Sequence, residues 1–142
     1  MIKLLSLFVF VCFSLMSSAQ TLDSNKINGN TIPVEKEESI FVYTEEIPQF
    51  PGGEQAQMRF MSENIRYPEF ERDSGIQGLV VASFIIEKDG RITDIKILKG
   101  VTPDIDKELI RVLKKMPRWS PGKQKGKAVR VRINLPVRFT LK

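Results

Sequence analysis

The sequence predicts an α+β fold of two layers: an antiparallel three-stranded sheet, ordered β-hairpin, helix, strand, with the helix packed on one face and a shorter helix ahead of it. Three observations carry this expectation. Near the C-terminus Val129, Val131, Ile133, Leu135, Val137, Phe139 and Leu141 alternate with Arg130, Arg132, Asn134, Pro136, Arg138 and Thr140, the period of two that gives a strand one buried and one wet face. Upstream, Val80, Ala82, Phe84 and Ile86 share one face of a strand, Ile95 and Ile97 answer on a returning strand, and Asp89-Gly90 between them supplies the left-handed angles of a tight hairpin turn. Between hairpin and last strand, Ile105, Leu109, Val112, Leu113 and Met116 recur at helical spacing.

In chain order, residues 1–19 combine the basic Lys3, an apolar run and Ser17-Ser18-Ala19, the pattern of a signal peptide cleaved after Ala19. The run is shorter than the ~20 residues that span a bilayer; retention as an inner-membrane anchor is the alternative. The sole cysteine, Cys12, lies inside it, so the mature chain is expected to have none. Residues 20–46 are polar and aperiodic, the composition of a flexible tether, with Ile40-Phe-Val-Tyr43 able to add a short strand. The domain is expected over residues 47–142, with its core in 65–142. It starts with the turn-rich Ile47-Pro-Gln-Phe-Pro-Gly-Gly53 and a helix near residues 54–64, whose Met58, Met61 and Ile65 are expected to face the core. Tyr67-Pro68 begins an extended or short helical segment ending at Ser74-Gly75, because Pro68 pushes Tyr67 away from helical angles.

The main helix opens with Thr102 as N-cap, Pro103 in its first turn and Asp104 and Asp106 complementing the helix dipole; Lys114 and Lys115 suit its C-terminus and Pro117 ends it. Asp89 is read as a turn residue rather than an acid catalyst. Trp119, between Pro117 and Pro121, is read as a lid on the core rather than a ligand anchor, and Lys123-Gln-Lys-Gly-Lys127 as a basic turn. Pro136 has no N–H to donate, so one side of the last strand is expected at a sheet edge, where another chain can add.

The chemistry these residues exclude is as informative. With no histidine and no cysteine in the mature chain, the usual general base, thiol nucleophile and metal ligands are missing, and no nucleophile motif is visible. No enzyme activity, cofactor or metal is expected. The formal charge is +5, and nothing after Glu108 is acidic while eleven residues from Arg111 to Lys142 are basic. A secreted chain rarely meets nucleic acid, and no aromatic platform is interleaved with these charges, so nucleic acid is not an expected partner. The arginines of the last strand read either as guards against edge-to-edge aggregation or as a binding face.

Tyr67-Pro68, Gly75-Ile-Gln-Gly-Leu-Val-Val81, Asp89-Gly-Arg-Ile92, Ile105-Asp106, Met116-Pro-x-Trp119-x-Pro-Gly122, Gly126-Lys127 and Leu135-Pro-Val-x-Phe139 stand in the order that resembles the C-terminal domain of the TonB energy-transducer family. Ile47-Pro-Gln-Phe-Pro-Gly-Gly53 resembles the extension that precedes this domain in Bacteroidota-type members. The resemblance implies a periplasmic, non-enzymatic domain that grips the TonB box of an outer-membrane TonB-dependent transporter as an added strand, in energy-coupled uptake of nutrients or siderophores. It nominates Tyr67, Pro68 and the backbone of Val129, Arg130, Val131, Arg132, Ile133 and Asn134 as the partner-binding residues. Further implied partners are an inner-membrane motor complex and, through the last strand, a second copy of the chain. A full transducer has an uncleaved membrane helix and a long proline-rich spacer, whereas residues 20–46 contain only Pro33 and would span about 30 Å as a coil. The alternative expectation is a soluble envelope adaptor that binds peptidoglycan or another periplasmic protein without transducing energy.

Overall fold

The computed structural model describes residues 38–142; the expected signal peptide, Cys12 and the tether up to residue 37 lie outside them. The elements run β1 (Ile40–Phe41), α1 (Gly53–Asn64), α2 (Glu69–Asp73), β2 (Gly78–Ile86), β3 (Ile92–Lys99), α3 (Pro103–Lys114), β4 (Gly122–Gln124) and β5 (Lys127–Phe139). The α+β class holds, but the sheet has five strands rather than three, in the order β1-β5-β2-β3 with β4 paired to β5. Of the two extra strands, β1 falls within Ile40-Phe-Val-Tyr43, the segment read as able to add a short strand, and β4 was not expected. β1 has two residues, too few for a period to show what it pairs with, and β4 lies in a Pro-, Gly- and Lys-rich stretch that reads as loop. Lys125 and Gly126 both adopt positive φ, 50° and 74°, which turns β4 back onto β5 as a tight hairpin.

β2 is the spine. It pairs antiparallel with β5 over an unbroken register from Gly78↔Phe139 to Ile86↔Val131, and with β3 on its other side. Val80, Ala82, Phe84 and Ile86 on its inner face pack with Ile105, Leu109, Val112 and Leu113 of α3 and with Phe139, so the amphipathic helix covers one face of the sheet as its stripe requires. Thr102 caps α3 by accepting from the Ile105 N–H at 3.3 Å and donates its own hydroxyl to the buried Glu71 of α2 at 2.8 Å. One threonine thus fixes both the start of α3 and the position of α2.

The hairpin between β2 and β3 closes with Gly90 N–H donating to the Glu87 carbonyl at 2.9 Å, and Gly90 alone takes the left-handed angle, φ 85°. Asp89 accepts from the Arg91 backbone N–H at 3.1 Å, the turn role expected of it. Trp119 lies buried against Phe50 and Phe84, edge to face at 5.7 and 5.9 Å, and its backbone N–H donates to the Gly90 carbonyl. The ring closes the core and the chain around it is pinned to the hairpin turn. One expected core residue is misassigned: Met58 is 59% exposed. α1 turns Ala56 and Phe60 inward beside the expected Met61, with the Phe60 ring tilted at 48° to Phe50 and 5.6 Å from it. The preceding Pro-Gly-Gly turn brings Phe50 under the helix and so decides which face is buried.

Candidate functional site

The chemistry available here is that of a strand edge, and the register of β5 decides which backbone groups it offers. Pro136 is paired with Val81. A proline cannot give a ladder hydrogen bond, so this pair belongs at a non-hydrogen-bonded position of the antiparallel ladder. Because the register with β2 is continuous from Val131 to Phe139, the alternation runs through that stretch: its odd residues bond to β2, and Arg132, Asn134 and Arg138 turn their N–H and C=O groups the other way. From Arg132 onward, no strand among the described residues pairs with that outer side. It therefore presents a row of backbone donors and acceptors, interrupted by Pro136 alone.

The start of this edge is occupied. Arg130 and Val131 are aligned with Ile40 and Phe41 of β1, which runs parallel to β5, and Val129 just ahead of them is paired with Gly122 of β4. Half of the nominated backbone is thus already engaged by the chain's own short strands, and only Arg132, Ile133 and Asn134 reach the open stretch. β1 then turns away. Backbone pairs Glu46–Lys123 and Gln49–Ser120 draw the following residues toward β4, at 3.0 to 3.1 Å and 2.8 to 3.1 Å.

Arg130 and Arg132 of β5 lie across the face opposite α3, where Ser83 and Ile85 are 2% exposed. Arg130 binds Glu87 through Nε and Nη2 at 2.8 and 3.1 Å. Arg132 reaches Asp94 at 2.5 Å and Ser83 Oγ at 3.3 Å. These hydrogen bonds from Arg130, joined by one from Thr93, hold the Glu87 carboxyl below the usual carboxylate range, and Arg132 followed by Lys96 does the same for Asp94. Asp94 occupies the left-handed region at φ 49°, a local bulge in β3 that aims its carboxylate at Arg132. Of the two readings of these arginines, guards of the edge or a basic binding face, neither foresaw that Arg130 and Arg132 are neutralised by partners that a one-dimensional pattern does not reveal. Glu87, Asp94 and Lys88 were missed for that reason, since pairing across 38 to 50 residues leaves no local spacing signal.

Tyr67 and Pro68 sit at the other end of β5. The Tyr67 ring meets Phe139 edge to face at 5.9 Å and its hydroxyl donates to the Ile76 carbonyl; burial, then the nearby Glu71 charge, push its phenol above the ordinary range. Pro68 is the N-cap of α2. Phe139 is eight strand positions from Val131, roughly 26 Å at the rise of an extended chain. The structure brings residues 129–134 together along one edge and leaves Tyr67 and Pro68 at the far end of the same strand. No group of three or more His, Cys, Asp or Glu among the described residues is arranged to hold a metal, and no described helix is long and apolar enough to cross a membrane.

A family model described as Gram-negative bacterial TonB protein C-terminal matches residues 63–141. The TonB proteins of two Helicobacter pylori strains are each 32% identical to this chain over 83 residues, which are 58% of this chain and 28% of theirs. The chain thus matches little more than a quarter of the length of those relatives. Among solved structures, the C-terminal domain of Helicobacter pylori TonB aligns at 28% identity and TM-score 0.44, covering 61% of this chain and 77% of that one. The Pseudomonas aeruginosa TonB C-terminal domain aligns at 32% and 0.45, covering 54% and 78%.

Proposed function

This chain belongs to the Gram-negative bacterial TonB protein C-terminal family, and on that premise we propose that it takes up the TonB box of an outer-membrane TonB-dependent transporter as a strand added beside β5, in energy-coupled uptake of nutrients or siderophores. The reading is a non-enzymatic one and places the domain in the periplasm. The observation that carries it is the outward row of backbone groups at Arg132, Asn134 and Arg138 on a strand whose other side is fully used by β2. Strand addition draws affinity from main-chain hydrogen bonds worth about 1 kcal/mol net each. Four to six of them, about 4 to 6 kcal/mol before side-chain contacts are added, suit a grip in the micromolar range rather than a permanent one. Arg130, Arg132 and Asn134 supply the backbone of the entry half of this track, Val131 and Ile133 hold it against the sheet's buried side, Val129 leads into it, and Tyr67 and Pro68 meet the peptide near its far end.

The adaptor reading, in which the arginine face holds peptidoglycan or an acidic protein, draws no support from charges already bound to Glu87 and Asp94. Titration of the labelled protein with TonB-box peptides tests the proposal: amide shifts should concentrate at Arg130, Arg132 and Asn134. Shifts confined to the hairpin around Asp89-Gly90 would overturn it.

A further inference from the structure

β1 is more than an extra strand, because it lies on the edge to which a partner would add. It is only two residues long, runs parallel to β5, and is exposed around its contact: Ile40 is 40% exposed, and Val42 and Tyr43 beyond it are 65% and 88% exposed. The residue ahead of it, Glu38, is held at both ends, its carboxylate ion-paired to Lys88 in the hairpin loop and its carbonyl accepting from Arg130 Nη1 at 3.4 Å. The continuation of β1 along β5 is cut off by the backbone pairs that draw Glu46 and Gln49 to β4.

We infer that residues 38–43 are an internal placeholder for the partner strand, and that they specify its chemistry: an acidic residue followed by an apolar extended run, laid parallel to β5 with the acid against Lys88. The inference rests on strand addition at β5, proposed above. In the register Ile40↔Arg130 and Phe41↔Val131, a strand that keeps going sets its next two outward-bonded positions beside Arg132 and Asn134, where β1 has already left. A longer chain therefore begins with the contacts that β1 makes and adds those that β1 cannot reach. It wins by length. The placeholder meanwhile covers the first part of an edge that would otherwise template self-association.

The arithmetic is that of a competing minor state: apparent affinity falls by the fraction of molecules with the edge free. The pairing of two residues, at about 1 kcal/mol net per backbone hydrogen bond and partly offset by the entropy of ordering the segment, leaves β1 docked in about nine molecules of ten. Releasing β1 should then tighten partner binding about ten-fold.

The test uses the full chain, unaltered and as the variant Ile40→Gly with Phe41→Gly, titrated with a synthetic peptide of residues 38–43, with the same peptide led by lysine instead of glutamate, and with a TonB-box peptide. The glutamate-led peptide should bind the variant about ten-fold more tightly than the unaltered chain, shifting the amides of Arg130, Arg132 and Asn134. The lysine-led peptide should bind less tightly by up to about five-fold at low salt, the size of an exposed ion pair. Lys88→Glu, which alters no backbone pairing, should reverse that preference. The inference falls if the glutamate-led peptide leaves those amides unmoved in the variant, if it binds both chains equally, or if Lys88→Glu leaves the preference unchanged. Continued binding of the TonB-box peptide in any of these cases would preserve strand addition at β5, and its loss as well would remove both. An unchanged unfolding midpoint for the double variant confirms that only β1 was released.

Discussion

Proline substitutions at neighbouring positions of β5 should have opposite consequences. If Pro136 fixes the ladder parity, Ile133 gives its N–H to β2 at the level of Phe84, whereas Asn134 turns its own outward. Ile133→Pro removes a ladder bond in the interior of the sheet and breaks the strand, a loss of about 3 kcal/mol. It also withdraws part of a side chain packed on the core, adding about 1 to 2 kcal/mol. Asn134→Pro loses no bond to β2, its side chain is exposed, and its stability cost should stay below about 1 kcal/mol. For a domain of this size a 4 to 5 kcal/mol loss lowers the melting temperature by more than ~15 °C. The single tryptophan, buried at position 119, reports unfolding in both variants. TonB-box affinity should show the complementary pattern: Asn134→Pro remains folded yet binds several-fold more weakly, because one outward donor is gone. Equal destabilisation by the two prolines would refute the parity argument and with it the assignment of the open edge.

Trp119→Ala should cost about 3 to 5 kcal/mol in urea unfolding followed by circular dichroism, and near-unaltered stability with lost peptide binding would make the indole a ligand contact instead. Gly90→Ala should destabilise by about 2 to 4 kcal/mol in the same assay, since alanine at φ 85° is strained and its Cβ would lie 2.0 Å from the Trp119 carbonyl oxygen. Glu87 is held below the ordinary carboxylate range by Arg130, so the stability it contributes is complete above its unfolded value and is lost as pH falls through the lower folded one. Glu87→Gln should therefore be less stable by about 1 to 2 kcal/mol at pH 7, with the gap closing as unfolding is measured at progressively lower pH below about 4.5.

What could be read from the residues follows from the range of the interactions involved. The β2–β3 hairpin, α3 and β5 were legible because each writes a period or a cap into contiguous sequence: Asp89-Gly90, Thr102-Pro103 and the seven alternating positions from Val129 to Leu141. Trp119 was legible because two prolines leave a lone indole little to do but stiffen a connection. β4 was not, and β1 was legible only as a possible short strand without its partner, since two- and three-residue strands are defined by what they pair with. Met58 failed because the face a weakly amphipathic helix buries is set by Phe50 and Trp119, distant in sequence or across a turn. The edge was half legible. Pro136 announced that it exists, but only the parallel pairing of Ile40 with Arg130 shows that its first residues are occupied.

The sheet has a second strand with an outer side, β3, and the contrast between the two edges argues for which one accepts a partner. β3 is irregular: its register with β2 shifts twice, Asp94 sits at positive φ, and Lys96 and Lys99 are exposed along it. A bulge and lysines are the usual means of making an edge unable to template another strand. β5 is treated differently. Its pairing with β2 is unbroken over nine residues, its outward row of backbone groups remains extended, and Arg130 and Arg132, which could have guarded its first half, are drawn across the sheet face to Glu87 and Asp94. Asp94 thus serves both edges: the bulge it occupies closes β3, and its carboxylate holds Arg132 away from β5. A fold that blunts one edge with an irregular residue, and uses that residue to keep the other edge clear, has the asymmetry expected of a sheet built to receive one strand on one side.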